Sequence, residues 1–111
     1  MLFPAELGKR RVEIGSKGVD GDTPLHVMAW RNDLFGAELL IDSGADVNAV
    51  GDMGETPLHV AVRQKNERLV ERMLRAGADP NVRSEFNETA AEAAAKQRGP
   101  IKRLFKKQRN T

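Results

Sequence analysis

The chain has 111 residues, enough for one domain with a modest hydrophobic core. Its composition, 40% hydrophobic and 31% charged, is typical of a globular protein and excludes a disordered one. Because there is no cysteine, a disulfide scaffold and a thiolate nucleophile are excluded as well. No apolar run is long enough to span a bilayer or to form the core of a signal peptide, so we expect a cytoplasmic protein.

The net charge of +2 is unevenly distributed along the chain. Residues 1–80 carry 10 Lys/Arg against 13 Asp/Glu, whereas residues 81–111 carry 8 against 3. A basic C-terminal stretch can bind nucleic acid, but it can equally be the solvated face of a terminal helix. We favour the solvated face for this stretch: Lys96, Arg98, Lys102, Arg103, Lys106, Lys107 and Arg109.

The first predicted helix begins after Thr23, because threonine is a good N-cap and Pro24 suits the first helical position. It is expected to cover about 24–31. A second helix follows over about 35–43, with Gly44 where a left-handed C-cap is needed. The next residues are rich in turn formers. This stretch therefore predicts two short helices followed by a projecting hairpin.

The same pattern returns further along the chain. The residues TPLH stand at 23–26 and again at 56–59, a spacing of 33 residues (56 minus 23). The hairpin segment SGADVNAV, which begins at Ser43, lies over AGADPNVR, which begins at Ala76. Helices are accordingly expected over about 57–64 and 68–76. Such a period indicates supersecondary units that bury their apolar faces by stacking on one another.

The chain resembles the ankyrin-repeat family, whose signature T-P-L-H-x-A is matched fully at residues 56–61 and departs only at Met28 in the first copy. The resemblance implies an all-α ankyrin-repeat solenoid within a single domain, 1–111. Two full repeats would be flanked by a truncated N-terminal cap and a degenerate C-terminal capping repeat. The expected boundaries are 1–20 for the N-terminal cap, 21–53 and 54–86 for the repeats, and 87–111 for the C-terminal cap with its basic tail.

The C-terminal cap is the least regular part of the pattern. Thr89 begins a degraded third copy, and its second helix aligns with that of the preceding repeat after a one-residue deletion. With that deletion Ile101 and Phe105 fall over Leu69 and Met73, so we expect both to be buried.

Two histidines occupy equivalent positions, His26 and His59, and could suggest a metal or acid–base site. Neither has a cysteine or a carboxylate at a metal-ligand spacing. The family resemblance implies instead that each bonds its motif threonine and the backbone. No phosphate loop, nucleophile elbow or His-x-x-x-His motif is present, so we expect neither an enzyme nor a cofactor.

Positions that the repeat leaves free are the candidates for binding. Trp30, the single tryptophan, matches Arg63 and Lys96, and it is either an interface residue or packed between helices. Asp20, Met53 and Phe86 occupy the same position at the tips of three successive hairpins. The tips also carry six carboxylates, namely Asp20, Asp22, Asp52, Glu55, Glu85 and Glu88. The predicted protein-binding residues are Asp20, Asp22, Trp30, Arg31, Asp52, Met53, Glu55, Arg63, Gln64, Glu85 and Phe86.

These features predict a non-catalytic module that binds another protein with a basic face, through apolar anchors and an acidic rim. The chain is also similar to small ankyrin-type bacterial immunity proteins, in GDTPLHVMAWRND, GDMGETPLHVAVRQKNE and GADPNVRSEF. That similarity implies a cytoplasmic inhibitor of a toxin domain, such as a nuclease with a basic groove. The alternatives are a regulatory adaptor without a toxin partner and a nucleic-acid-associated protein that uses the basic tail. We expect no membrane or small-molecule partner.

Overall fold

A computed structural model of the chain describes residues 21–109, with side chains as far as Phe105. The described helices are α1 Pro24–Trp30, α2 Leu34–Asp42, α3 Pro57–Arg63, α4 Glu67–Arg75, α5 Ala90–Ala95 and α6 Pro100–Arg109, with a 3₁₀ turn at Asp52–Gly54. No strand occurs in this part of the chain. The predicted bounds of α1 to α4 are confirmed to within one residue. The N-terminal cap expected over 1–20 lies outside the described residues.

The first helix of each unit begins with the same N-terminal capping box. Thr23, Thr56 and Thr89 each accept a hydrogen bond from the backbone N–H three residues on, and that residue's side chain accepts from the threonine N–H. The second helices of the two full units end before Gly44 and Gly77, whose φ angles of 99° and 97° need a glycine. The predicted caps are therefore confirmed.

The helices stack in two layers. In one layer α3 lies between α1 and α5, and in the other α4 lies between α2 and α6. Within each unit the two helices pack against each other. This arrangement confirms the predicted all-α repeat solenoid. In the described part no helix is long and apolar enough to cross a membrane.

The hydrophobic core runs along the seam between the two layers. Leu58 of α3 and Leu69 and Met73 of α4 are completely buried. In the terminal unit Ile101 and Phe105 are buried, as their alignment with Leu69 and Met73 predicts. The predicted two-helix rhythm of this unit is thus confirmed, and Phe105 belongs to the core.

The departure from the signature at Met28 has a structural explanation. The second unit has Ala61 where the first has Met28, and it has Leu69 where the first has Gly36. A Cβ added to Gly36 would lie 2.5 Å from the Met28 sulfur. The long Met28 side chain on α1 therefore fills the space that Gly36 leaves empty on α2. The two differences compensate each other in volume.

The histidines join neighbouring units. The His26 Nδ1 atom accepts a hydrogen bond from the Thr23 N–H at 3.1 Å, and Nε2 lies 2.8 Å from the Glu55 carbonyl oxygen of the next unit. His59 repeats this with Thr56 at 3.0 Å and with the Glu88 carbonyl at 3.0 Å. Because a carbonyl oxygen only accepts, Nε2 carries the proton in both rings. The expected bond within each motif is confirmed, and the bond between units is an addition to it.

The third copy does not continue this connection. Glu92 stands where the first two units have histidine. Its carboxylate accepts from the Thr89 N–H at 3.1 Å and so keeps the capping box. This hydrogen bond is the main reason that the pKa of Glu92 lies below its usual value. An ionised carboxylate has no proton to donate, so Glu92 cannot make the bond to a carbonyl oxygen that His26 and His59 make.

Candidate binding surface

The hairpin tips form a continuous, hydrogen-bonded edge. Each described tip is closed across its base by a backbone bond, from Gly51 N–H to the Glu55 carbonyl at 2.8 Å and from Ser84 N–H to the Glu88 carbonyl at 3.0 Å. The Glu85 N–H donates to the Met53 carbonyl at 2.9 Å, which ties one tip to the next. Side chains on this edge are therefore presented on an ordered backbone.

Three apolar side chains are exposed beside this edge. Trp30 at the end of α1 is 43% exposed, Met53 is 47% exposed and Phe86 is 63% exposed. Trp30 is therefore partly exposed at the surface, while Arg63 of α3 lies over its ring. Met53 also adopts a left-handed conformation, with φ at 61° and ψ at 19°, which costs a residue with a side chain about 1 kcal/mol or more. We refer to Trp30, Met53 and Phe86 together as the apolar edge.

Arg63 lies next to Trp30 and is already paired. Its guanidinium carbon is 5.5 Å from the centre of the Trp30 ring, within range of a cation–π interaction. Its Nη1 donates to Glu55 Oε1 at 2.8 Å, and Nη2 donates to the other carboxylate oxygen. The hydrogen bond with Glu55 raises the pKa of Arg63, against the opposing effect of partial burial. Arg63 stays a predicted protein-binding residue, but it would meet a partner as part of an internal ion pair.

Glu55 does not belong to the exposed acidic rim. Glu55 is only 4% exposed, and Arg63 neutralises its carboxylate. The prediction that Glu55 meets basic residues of a partner is therefore wrong in this structure. The physical reason is that position 63 carries an arginine whose side chain reaches back to the carboxylate eight residues earlier.

The next unit has an equivalent ion pair. Glu88 and Lys96 stand 33 residues after Glu55 and Arg63 (88 minus 55), and Lys96 Nζ donates to Glu88 Oε2 at 2.5 Å. This hydrogen bond is the main reason that the pKa of Lys96 lies above its usual value. The repeated Glu/Lys–Arg spacing was visible in the sequence, and comparing both pairs could have predicted that Glu55 and Glu88 are neutralised.

The acidic rim is consequently smaller than the sequence predicts. Asp22, Asp52 and Glu85 have no ion pair within the described part of the chain. The Asp22 carboxylate accepts from the Asp52 N–H at 2.9 Å and so links the first two tips. Asp20 lies outside the described residues. The acidic rim, as we use the term below, comprises Asp22, Asp52 and Glu85.

The two remaining predicted residues differ in their surroundings. Arg31, the C-cap of α1, is exposed. Gln64 is half-buried and its Nε2 donates to the Trp30 carbonyl at 3.2 Å, so it holds α3 to α1. Gln64 thus helps to fix the position of Trp30.

Two depressions border the apolar edge. A small cleft of about 30 Å³ between the first two units is lined by Asp22, His26, Trp30, Asp52, Met53, Glu55 and Val60. A wider, open depression of about 580 Å³ lies beside the terminal unit, between Phe86, Glu88 and Lys96. We call the first of these the Trp30 cleft.

The two histidines are hydrogen bonded within the fold, whereas the described basic side chains of α6 are exposed. Both ring nitrogens of His26 and His59 are hydrogen bonded, and no group of three or more potential metal ligands occurs among the described residues. In the tail, Lys102 and Arg103 of α6 are exposed. The side chains of Lys106, Lys107 and Arg109 lie outside the described residues.

Comparison with known families agrees with this architecture. The family model described as Ankyrin repeats (3 copies) matches residues 5–84, well over half of the chain. The comparison with curated proteins gives no match.

Proposed function

The chain belongs to the ankyrin-repeat family, and from that premise we propose that its apolar edge and acidic rim bind a protein with a basic face. Domains of this family are generally non-catalytic and typically bind other proteins.

The observation that carries the proposal is the exposure of Trp30, Met53 and Phe86 beside an ordered backbone edge. Large apolar side chains grouped on a surface favour an interface, and tryptophan is enriched among the residues that dominate binding energy. The carboxylates of Asp22, Asp52 and Glu85 lie on the same tips without an internal cation in the described part. They would attract a basic partner and orient it before contact.

The specific partner that we propose is a toxin domain with a basic active-site groove, which the chain would occlude in the cytoplasm. Two features support this choice. The acidic rim is complementary to a groove that binds nucleic acid, and the stretches quoted above are similar to those of small ankyrin-type immunity proteins. A rigid repeat surface would also lose little conformational entropy on binding.

The binding surface can be tested with matched variants of the full chain. Capture from the native cell should identify a stoichiometric partner, and titration should then compare wild type with Trp30→Ala, Met53→Ala and Phe86→Ala. We expect Trp30→Ala to weaken binding by about 2 kcal/mol or more, which is the usual size of a hot spot. Phe35→Ala is the matched control, since Phe35 is 72% exposed and lies on α2, in the other helical layer from Trp30 and α1. An unchanged affinity for all three edge variants would contradict the proposal.

The toxin assignment has a separate test. The captured protein is expressed alone and together with the chain, and cell growth is measured. Growth arrest that wild type relieves, and that the Trp30→Ala variant does not relieve, supports immunity. A partner that is harmless alone would favour the regulatory adaptor instead. Salt-sensitive binding of the chain to nucleic acid, lost on truncation after Gly99, would favour the nucleic-acid alternative.

A further inference from the structure

The two ion pairs on the inner helices leave one unit without an equivalent. In the second unit Glu55 holds Arg63, and in the third Glu88 holds Lys96. The corresponding positions of the first unit are Asp22 and Trp30, eight residues apart as in the other two units. The carboxylate is retained in the first unit, but the cation is replaced by an aromatic ring.

The Trp30 cleft gathers the groups that this difference leaves available. Asp22 and Asp52 lie in its lining together with Trp30 and Met53. Asp22 accepts one backbone hydrogen bond, from Asp52 N–H, and neither carboxylate has an ion pair within the described part. The cleft therefore combines negative charge, an aromatic ring and an apolar side chain at one place.

Arg63 shows how this surface accommodates a guanidinium. It forms two hydrogen bonds with one carboxylate and lies over the Trp30 ring at 5.5 Å. Because Trp30 remains 43% exposed beside Arg63, part of the residue is still accessible to a second group. The charge of Arg63 is balanced by Glu55, which reduces its repulsion of a further cation.

We propose that the mouth of the Trp30 cleft binds an arginine side chain of the partner protein, with its guanidinium outside the narrow cleft, against the exposed part of Trp30, and its N–H groups on Asp22 and Asp52. The incoming arginine would supply the cation that the first unit lacks. Arginine fits better than lysine, because a planar guanidinium can stack on a ring and donate several hydrogen bonds at once. This inference rests on the proposed function and specifies which side chain of a basic partner the surface recognises.

The test uses the full chain and a defined probe, the peptide acetyl-Gly-Leu-Arg-Leu-Gly-amide. Trp30 is the single tryptophan, so its fluorescence and its indole N–H resonance report directly on the cleft. At low salt, about 50 mM, we expect a saturable change with a millimolar dissociation constant. The same peptide with citrulline, which is neutral and nearly isosteric, should bind at least about fivefold more weakly, and the lysine peptide should fall between them.

Charge variants of the chain complete the experiment. Asp22→Asn/Asp52→Asn keeps the oxygen that accepts the Asp52 N–H and should weaken the arginine peptide about threefold or more. Glu67→Gln/Glu71→Gln removes two charges from α4, which does not line the cleft, and should leave affinity unchanged. The proposal would be overturned by no saturable change up to about 20 mM arginine peptide, by equal binding of the citrulline peptide, or by equal losses in both double variants.

These outcomes are distinct from those of the proposed function. If the apolar-edge variants abolish binding of the captured partner while the arginine peptide does not bind, the surface is correct and the arginine assignment is wrong. If the arginine peptide binds as expected but the edge variants leave the partner's affinity unchanged, the cleft recognises arginine and the proposed interface is wrong.

Discussion

The first and second units share a backbone plan but differ in their surroundings. Val27 of α1 is 40% exposed, whereas the equivalent Val60 of α3 is 1% exposed. The second unit is packed between two described neighbours, and its first helix is buried from Pro57 to Val62. One signature therefore specifies the same helices in both units, while the neighbours of each unit decide how much of its first helix is buried.

Two local differences illustrate this. The first unit exchanges the alanine and leucine of the second for Met28 and Gly36, and the core remains filled. It also has Trp30 where the second unit has Arg63. In the described part of the chain no other cation forms an ion pair with Asp22. The first exchange preserves packing, whereas the second creates the surface to which we assign function.

The largest expected effect comes from removing a side chain of the buried unit. Leu69→Ala should lower the free energy of unfolding by about 2–5 kcal/mol, because Leu69 is completely buried in α4. Leu39→Ala on α2 should cost less than about 1 kcal/mol, since Leu39 is 53% exposed. Denaturant unfolding of both variants checks this contrast. Equal losses would contradict the burial of Leu69 and the exposure of Leu39.

A smaller effect tests the compensation between Met28 and Gly36. Gly36→Leu alone should destabilise the chain by about 1–3 kcal/mol, because its Cβ would meet the Met28 sulfur. The double variant Met28→Ala/Gly36→Leu reproduces the pair found in the second unit and should recover most of that loss. Unfolding free energies of the two single variants and the double variant give the coupling. Additive losses would contradict the compensation.

The smallest effect concerns the tips. Met53 has a positive φ and Phe86, at the equivalent tip position, is not among the positive-φ residues of the described part. Met53→Gly should therefore be more stable than Met53→Ala by about 1 kcal/mol, since only glycine adopts that conformation without a steric cost. At Phe86 the order should reverse, with alanine more stable than glycine. Thermal unfolding of the four variants measures both differences, and the same sign at both positions would refute the assignment of strain to Met53.

Much of the fold could be predicted from the sequence because its determinants are local. Thr23 and Thr56 specify the start of α1 and α3, and Gly44 and Gly77 specify the ends of α2 and α4 through φ angles that other residues avoid. The 33-residue period then predicts which helices stack, since neither can bury its apolar face alone.

The candidate surface could be predicted less well, because it depends on contacts between residues far apart in sequence or on competition within a unit. The exposure of Trp30, Met53 and Phe86 matches their positions outside the repeat pattern. The sequence predicts Glu55 on the rim because it lies on a hairpin tip, but Arg63 pairs with its carboxylate and the residue is buried. The role of Gln64 depends on the Trp30 carbonyl of the preceding unit, which no local motif indicates.

The most direct test of the proposed interface is amide hydrogen exchange of the full chain, alone and saturated with the captured partner. We predict slower exchange in the complex at the end of α1 around Trp30 and at the tips 51–54 and 84–87, with α2, α4 and α6 unchanged. Protection confined to α2, α4 and α6, with the tips exchanging as in the free chain, would contradict the account and would place the binding surface on the opposite helical layer.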